Sequence, residues 1–479
     1  MKKDSFYITT TLPYVNSDPH IGFALELVQT DVVARYHRLK GDNVFFSTGT
    51  DEHGQKIFEA SVKEGKEVQE YVDGYAGEFK KLSSALDISN DTFIRTTDAH
   101  HITAAQEMWN RCDKAGDIYK KSYEGKYCVG CESFKPEKDL DERGECLIHP
   151  HLKITLLKEE NYFFRFSKYQ EKLLSYLSEP GVILPEWRRE EAITFVKSGL
   201  EDFSISREKE RLSWGIPVPG DDAQVMYVWF DALTNYISTL GWPEDSGGKF
   251  KNFWEQGFTV QTAGKDQVRF QSIIWQAMLM SAGVKSTDKV VYHGFITSGG
   301  QKMSKSLGNV INPLDLVKEY GTDAVRYFLL RHVSSFEDSD VTLEAIKEAY
   351  NSGLANGLGN LASRILTLSE KYLETCPAIP DNLIPKEFFE ILDTFDTKKA
   401  TDYVWNKIGE LDRFIQETEP FKVIKVDEEK GKKLISDMVV RLYQIARMLN
   451  PLMPDTNVTL KKLIRENKKP EVPLFVRKD

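Results

Sequence analysis

No uninterrupted apolar run in the 479 residues approaches the roughly 20 that a membrane-spanning helix requires, so a helical membrane protein is excluded. The formal net charge is −10, so a global basic field for nucleic acid is absent and any such binding must come from local patches. Only five cysteines are present, and Cys112 and Cys376 lie far apart without framework spacing, which argues against a disulfide scaffold. There is no internal repeat and no low-complexity tract. The start, Met1–Lys2–Lys3–Asp4–Ser5, leads into a strand-like segment without a signal-peptide apolar region, so a cytoplasmic location is expected.

What remains is ordinary globular composition, 41% apolar, 28% charged and 11% aromatic, at a length that allows about three domains. The other three cysteines cluster. Cys128 and Cys131 are separated by two residues, and Cys146 and His149 repeat that spacing. Two such chelating turns supply four tetrahedral ligands, the pattern of a closed structural Zn²⁺ site. His151 competes for the fourth place, and the spacing favours His149. The rival reading is a set of buried, metal-free cysteines.

Phe6–Thr11 reads as a buried strand, His20–Leu39 as a long amphipathic helix and Val44–Ser47 as a second strand, with a further helix from about Gln55. Strand–helix–strand–helix at this spacing is a parallel α/β unit, whose ligands bind at the carboxyl ends of the strands. The pattern changes from about Ile118 to Val225 and resumes at Met226–Asp231, followed by the strand Phe258–Thr262, the helix Gln267–Ala282 and the strand Val290–Ile296. After about Tyr350 long amphipathic stretches read as a helix bundle. The expected fold is α/β: a Rossmann-type parallel sheet split by a zinc-binding insertion, then an all-α bundle. The expected divisions are 1–117 and 226–298 for the two halves of the sheet domain, 118–225 for the insertion, 299–350 for a loop-bearing connector and 351–479 for the bundle. The basic cluster Lys461, Lys462, Arg465, Lys468, Lys469 reads as a solvated tail or a phosphate patch.

Two stretches carry phosphate chemistry. Gln301–Lys302–Met303–Ser304–Lys305–Ser306–Leu307–Gly308–Asn309 is a glycine-flanked loop with two lysines, suited to polyphosphate oxygens, though a solvated surface loop would also look like this. Pro19–His20–Ile21–Gly22 opens the first helix, where unpaired N–H groups and the helix dipole favour an anion; a lone histidine there is otherwise a cap.

Together these stretches resemble the two signatures of the class I aminoacyl-tRNA synthetases. Thr11–Leu12–Pro13–Tyr14–Val15–Asn16, Gly49–Thr50–Asp51–Glu52–His53–Gly54–Gln55, Val228–Trp229–Phe230–Asp231–Ala232 and Gly264–Lys265–Asp266 are similar to stretches of the methionyl-specific family. Asn360–Leu361–Ala362–Ser363–Arg364 resembles its anticodon-reading helix. The resemblance runs in order over nearly the whole chain. It implies a ligase that joins L-methionine and ATP to methionyl-adenylate plus pyrophosphate, then passes the methionyl group to the 3′ end of tRNA(Met). It implies that His20, Lys302 and Lys305 are catalytic, and that Gly22, Lys265 and Asp266 join them in binding ATP with Mg²⁺. Leu12, Tyr14, Asp51, Trp229, Ala232, Tyr236 and Gln271 would hold methionine, with Asp51 on its ammonium. Asn360, Arg364 and Phe421 would meet the anticodon, and Cys128, Cys131, Cys146 and His149 would form the family's single zinc knuckle.

Five departures stand out. Phe23 replaces the second histidine of the first signature, and Leu233 a proline. Gln267 and Gln271 stand where an apolar residue and a histidine are usual. Phe421 replaces a tryptophan, although an aromatic face survives for stacking. A catalytically impaired RNA-binding paralogue would keep the fold; Phe23 and Gln271 speak for it, and His20, Asp51 and both signature lysines against. A nucleotidyltransferase shares the histidine signature but gives no reason for the bundle with Asn360 and Arg364. An insertion of about a hundred residues is short for the editing domain of leucine, isoleucine or valine enzymes. The end near Asp479 favours a monomer.

Overall fold

Phe6, Tyr7 and Ile8 are buried on both faces of their strand, as the centre of a parallel sheet requires. In this computed structural model, which describes residues 4–131, 133–135, 137–150, 152–302, 310–381 and 383–479, that strand, Ser5–Thr9, lies inside a six-stranded sheet. The order is Thr92–Arg95, Asn43–Thr50, Ser5–Thr9, Phe258–Gly264, Lys289–His293, Ile183–Leu184. Ser5–Thr9 pairs in parallel with both neighbours, Phe6 opposite Val44 on one side and Phe258 on the other. Asn43–Thr50 pairs in parallel with Thr92–Arg95, and Lys289–His293 with Ile183–Leu184.

The chain divides into two compact units. The first, Met1–Asp18, Asp42–Lys81 and Asn90–Tyr292, contains this sheet and a core built around Trp109, Phe164, Phe230, Trp254, Trp275 and Tyr292. Within it, Ile118–Cys128 and Thr155–Phe164 form an antiparallel ribbon, extended by Ser133–Phe134 and Phe203–Ser204 into a four-stranded sheet. The α/β pattern interrupted by an antiparallel insertion is therefore as read. Local details differ. The expected helix Gln267–Ala282 is a short 3₁₀ turn, Lys265–Gln267, a wide i→i+5 turn, Phe270–Ile274, and an α-helix over Trp275–Ala282 only. Met226–Asp231 is the end of the strand Asp221–Met226 and the start of the one-turn helix Val228–Ala232.

The second unit is Pro19–Gly41, Leu82–Ser89 and His293–Asp479. Its first helix, Ile21–Lys40, packs on Thr322–Arg331, and the later helices Asn360–Tyr372, Thr397–Thr418, Glu428–Met448 and Pro454–Arg465 pack on one another. The expected strand Val290–Ile296 is two pieces, because Gly294 sits on the backbone of Glu337, where an added Cβ would lie 2.1 Å from a carbonyl carbon. Beyond it Ile296–Ser298 and Gln301–Lys302 form a hairpin closed by Gly299 (φ 61°) and Gly300 (φ 72°). Two consecutive positive φ values match the twist of a two-residue hairpin and select glycine.

Arg326 joins three separate stretches of this unit. Its guanidinium is fully buried, 2.7 Å from Asp31 Oδ2, and donates to Leu86, Pro451 and Leu452 carbonyls at 2.9–3.1 Å. Burial alone would raise the Asp31 carboxyl, but Arg326 and Arg35 overcome it and hold the group below its ordinary range. Its stabilising effect is therefore present above that range and fades as pH falls through the lowered folded value. Asp31→Asn is expected to cost about 3–5 kcal/mol in urea unfolding at neutral pH, because the buried guanidinium loses its countercharge. A loss within measurement error would show that the ion pair does not tie this unit together.

Candidate active site and metal centre

In the first unit, backbone bonds bring the expected methionine-binding segments side by side. Asp51 N–H donates to Pro13 O at 3.0 Å, Val15 N–H donates to Asp51 O at 3.3 Å, and Tyr14 bridges Asp51 in parallel. Asp51 is 2% exposed at the carboxyl end of its strand. Next to it, Glu52 is fully buried and takes a two-pronged bond from Arg95, at 2.6 and 2.8 Å, and another from the Thr97 hydroxyl. This fixes the turn that presents Asp51.

The aromatic wall is a stack. Trp229 and Phe270 lie face to face with centroids 3.8 Å apart and an interplanar angle of 15°, and Tyr14 meets Trp229 edge-on at 6.0 Å. Such a surface is large, rigid and polarisable, which suits a thioether. Ala232, Tyr236 and Gln271 are buried, Leu12 half-buried, and Gln271 Nε2 lies 2.5 Å from the Tyr236 hydroxyl. Lys265 and Asp266 form the 3₁₀ turn after Gly264, and Gln267 Nε2 donates to Asp266 Oδ2 at 3.0 Å. Sequence reasoning missed Asp231, His101 and Arg95. Asp231 carried a signal, since a lone carboxylate in an apolar run needs a buried partner.

In the second unit His20 caps its helix, Nδ1 accepting from Gly22 N–H at 3.1 Å, and is exposed. A Cβ at Gly22 would sit 2.9 Å from His20 Cε1, so the glycine makes room for the imidazole. Phe23 is buried in the same turn. The backbone of Lys302 ends the glycine hairpin; Lys305 lies outside the described residues. Asn360 and Arg364 lie one helical turn apart on a groove of about 470 Å³ that also involves Arg331, Asn356, Trp405 and Asp412. Arg364 is 2.7 Å from Asp412. Phe421, 40% exposed, is not among the residues lining that groove.

Cys128, Cys131, Cys146 and His149 converge, with all four ligand atoms within 4.8 Å of one another. Cys131 Sγ is 3.6 Å from Cys146 Sγ and 3.2 Å from His149 Nδ1, and Cys128 Sγ is 3.8 Å from that nitrogen. A tetrahedral zinc site, with its usual bond lengths, spaces its donors about 3.6–3.8 Å apart, whereas a disulfide needs about 2.05 Å. The donor set fits a metal. Gly130 completes the fit, since a Cβ there would be 2.5 Å from the His149 ring. His151 lies outside the described residues.

A family model over more than half of the chain defines its class, the class I aminoacyl-tRNA synthetases. The family model described as "tRNA synthetases class I (M)" matches residues 6–155 and 144–366. The methionine–tRNA ligase of Fusobacterium nucleatum subsp. nucleatum is 42% identical over 95% of this chain and 73% of its own. That of Rhizobium meliloti is 42% identical over 94% of this chain and 90% of its own. Mycobacterium tuberculosis methionyl-tRNA synthetase in complex with methionyl-adenylate superposes with a TM-score of 0.88 at 36% identity, covering 96% of this chain and 93% of that one. The chain belongs to the methionine–tRNA ligase family.

Cys146→Ser is expected to lower the metal content of the purified protein, read by elemental analysis, since it removes one of the converging sulfurs. Unchanged content would take Cys146 out of the ligand set.

Proposed function

We infer that this chain is a methionine–tRNA ligase acting in two steps. Its membership of the family over nearly its full length carries the reading, and the buried Asp51 carboxylate near the Trp229–Phe270 stack supports it. Asp51 takes the ammonium of methionine, and the aromatic wall with Leu12, Ala232, Tyr236 and Gln271 takes the thioether.

In the first step a methionine carboxylate oxygen attacks the α-phosphorus of ATP in line. The α–β bridging P–O bond breaks, and pyrophosphate leaves. No protein nucleophile is required; the chain supplies position and countercharge. His20, at the positive end of its helix, and Gly22 with Lys265 and Asp266 hold the nucleotide. Lys302 and Lys305 offset the charge that develops on the departing pyrophosphate. Mg²⁺, carried by the nucleotide rather than by a cage of side chains, would supply further countercharge to the phosphates. In the second step a terminal ribose hydroxyl of tRNA(Met) attacks the activated carbonyl, and AMP leaves. Asn360 and Arg364 read the anticodon from the groove, with Phe421 as a stacking face. Cys128, Cys131, Cys146 and His149 would hold Zn²⁺, which would serve there as a structural cross-link.

ATP–pyrophosphate exchange across a panel of amino acids tests this directly: exchange is expected with methionine, and its absence at saturating methionine would overturn the assignment. Lys305→Ala is expected to reduce the activation rate about 100-fold with little change in methionine KM. An equal effect on both would remove its transition-state role. Arg364→Gln should weaken aminoacylation of tRNA(Met) through the tRNA KM and leave pyrophosphate exchange untouched; impaired exchange would detach Arg364 from tRNA recognition.

A further inference from the structure

Asp231 lies between Trp229 and Ala232 on a single helical turn, and its side chain has no solvent exposure. A carboxylate in that setting is costly unless it is paired. Two imidazoles face it. His53 Nδ1 is 3.3 Å from Oδ2, and His101 Nε2 is 3.8 Å from Oδ1. Both separations exceed an ideal hydrogen bond and neither pair meets its geometry, so the two imidazoles stand against the carboxylate as its nearest polar neighbours. Burial alone would push the Asp231 carboxyl up; His53 and His101 reverse this and hold it below the ordinary carboxylate range.

The imidazoles are themselves anchored. His101 is fully buried on the helix Ala99–Lys114, and its Nδ1 lies 2.9 Å from the Ser238 hydroxyl. His53 packs its ring against Trp214 at 5.4 Å, and the Trp214 indole N–H donates to Glu52 O at 2.6 Å. His53 follows Asp51 by two residues, and Asp231 follows Trp229 by two. The carboxylate–imidazole contact is therefore a direct cross-link between the segment bearing Asp51 and the segment bearing Trp229 and Ala232.

We propose that Asp231, held between His53 and His101, is a positioning residue for the amino-acid substrate. It sets the distance between the Asp51 carboxylate and the Trp229–Ala232 wall without touching the substrate. A pocket that must hold an ammonium at one end and a thioether at the other discriminates by that distance. Releasing the cross-link loosens methionine binding and leaves the nucleotide side alone. The inference rests on the methionine-activating reading above.

The experiment is pyrophosphate exchange by the full chain, with methionine and ATP titrated separately for the parent, Asp231→Asn, His53→Ala and His53→Asn. Asp231→Asn and His53→Ala are expected to raise methionine KM about tenfold or more, with ATP KM within about twofold of the parent. His53→Asn, which keeps a donor near the position of Nδ1, is expected to recover most of that loss. An unchanged methionine KM in Asp231→Asn would overturn the proposal. So would a fall in total activity with both KM values kept, which marks a residue needed only for folding. Failure of the parent itself to exchange with methionine would overturn the underlying reading, and is visible before any variant is made.

Discussion

A guanidinium carries five N–H donors and does not give up its charge, so burying one dictates what surrounds it. Arg326 has no solvent exposure, and its surroundings come from far apart in the chain: Asp31, the Leu86 carbonyl and the adjacent Pro451 and Leu452 carbonyls. The helix that begins at His20 is thereby fastened to the C-terminal helices, although in sequence it lies between the first two strands of the sheet. Asp323 shares this neighbourhood, accepts from Thr456 N–H at 2.6 Å, and has its carboxyl raised by burial. One acid is held ionised by the arginine and the other is pushed toward neutrality, a division that limits net charge in a dry interior.

The first unit relies on neutralisation of the same kind. Glu52 is matched by Arg95, Asp231 has two imidazoles against it, and each carboxylate stands next to a segment expected to meet methionine. A loop that must present Asp51 cannot also be loose, and buried charge pairing supplies rigidity where backbone ladders have ended. Gln271 and Gln267 fit that economy. Each donates an amide N–H to a neighbouring side chain, the Tyr236 hydroxyl and the Asp266 carboxylate. Both departures from the family pattern are thus absorbed into hydrogen bonds.

Much of this was legible beforehand. The apolar run around Phe6–Ile8 and the helical spacing of Ile21, Leu25, Val28 and Val32 placed the sheet and its first helix, since those periods follow from burial alone. The cysteine spacing located four side chains that do converge. What escaped depends on partners distant in sequence. Asp31 reads as an ordinary polar position until Arg326 is beside it. His101 is far in sequence from Asp231, which stands 3.8 Å from it. The i→i+5 turns over Phe270–Ile274 and Tyr350–Gly359 escaped for another reason: apolar spacing cannot separate them from α-helix. In the second of these, Gly353 meets the Tyr327 hydroxyl so closely that a Cβ would lie 1.8 Å from it, and Trp405 donates to its carbonyl. Packing of that sort leaves no mark on periodicity.

The register of the central strand also has a consequence in time. Ser5–Thr9 is made well before one of its two partners, Phe258–Gly264, which follows about 250 residues later. At ribosomal speeds of about 5–20 residues per second, an apolar strand with one open edge waits about 10–50 seconds for its neighbour. Until then Phe6 and Ile8 lie on an unfinished edge, able to pair with another nascent chain. The early pairing with Asn43–Thr50 covers one side quickly and halves the hazard. For the remaining interval the newborn protein depends on its surroundings, and slower translation or a shortage of chaperones would harm it before any completed fold could protect it.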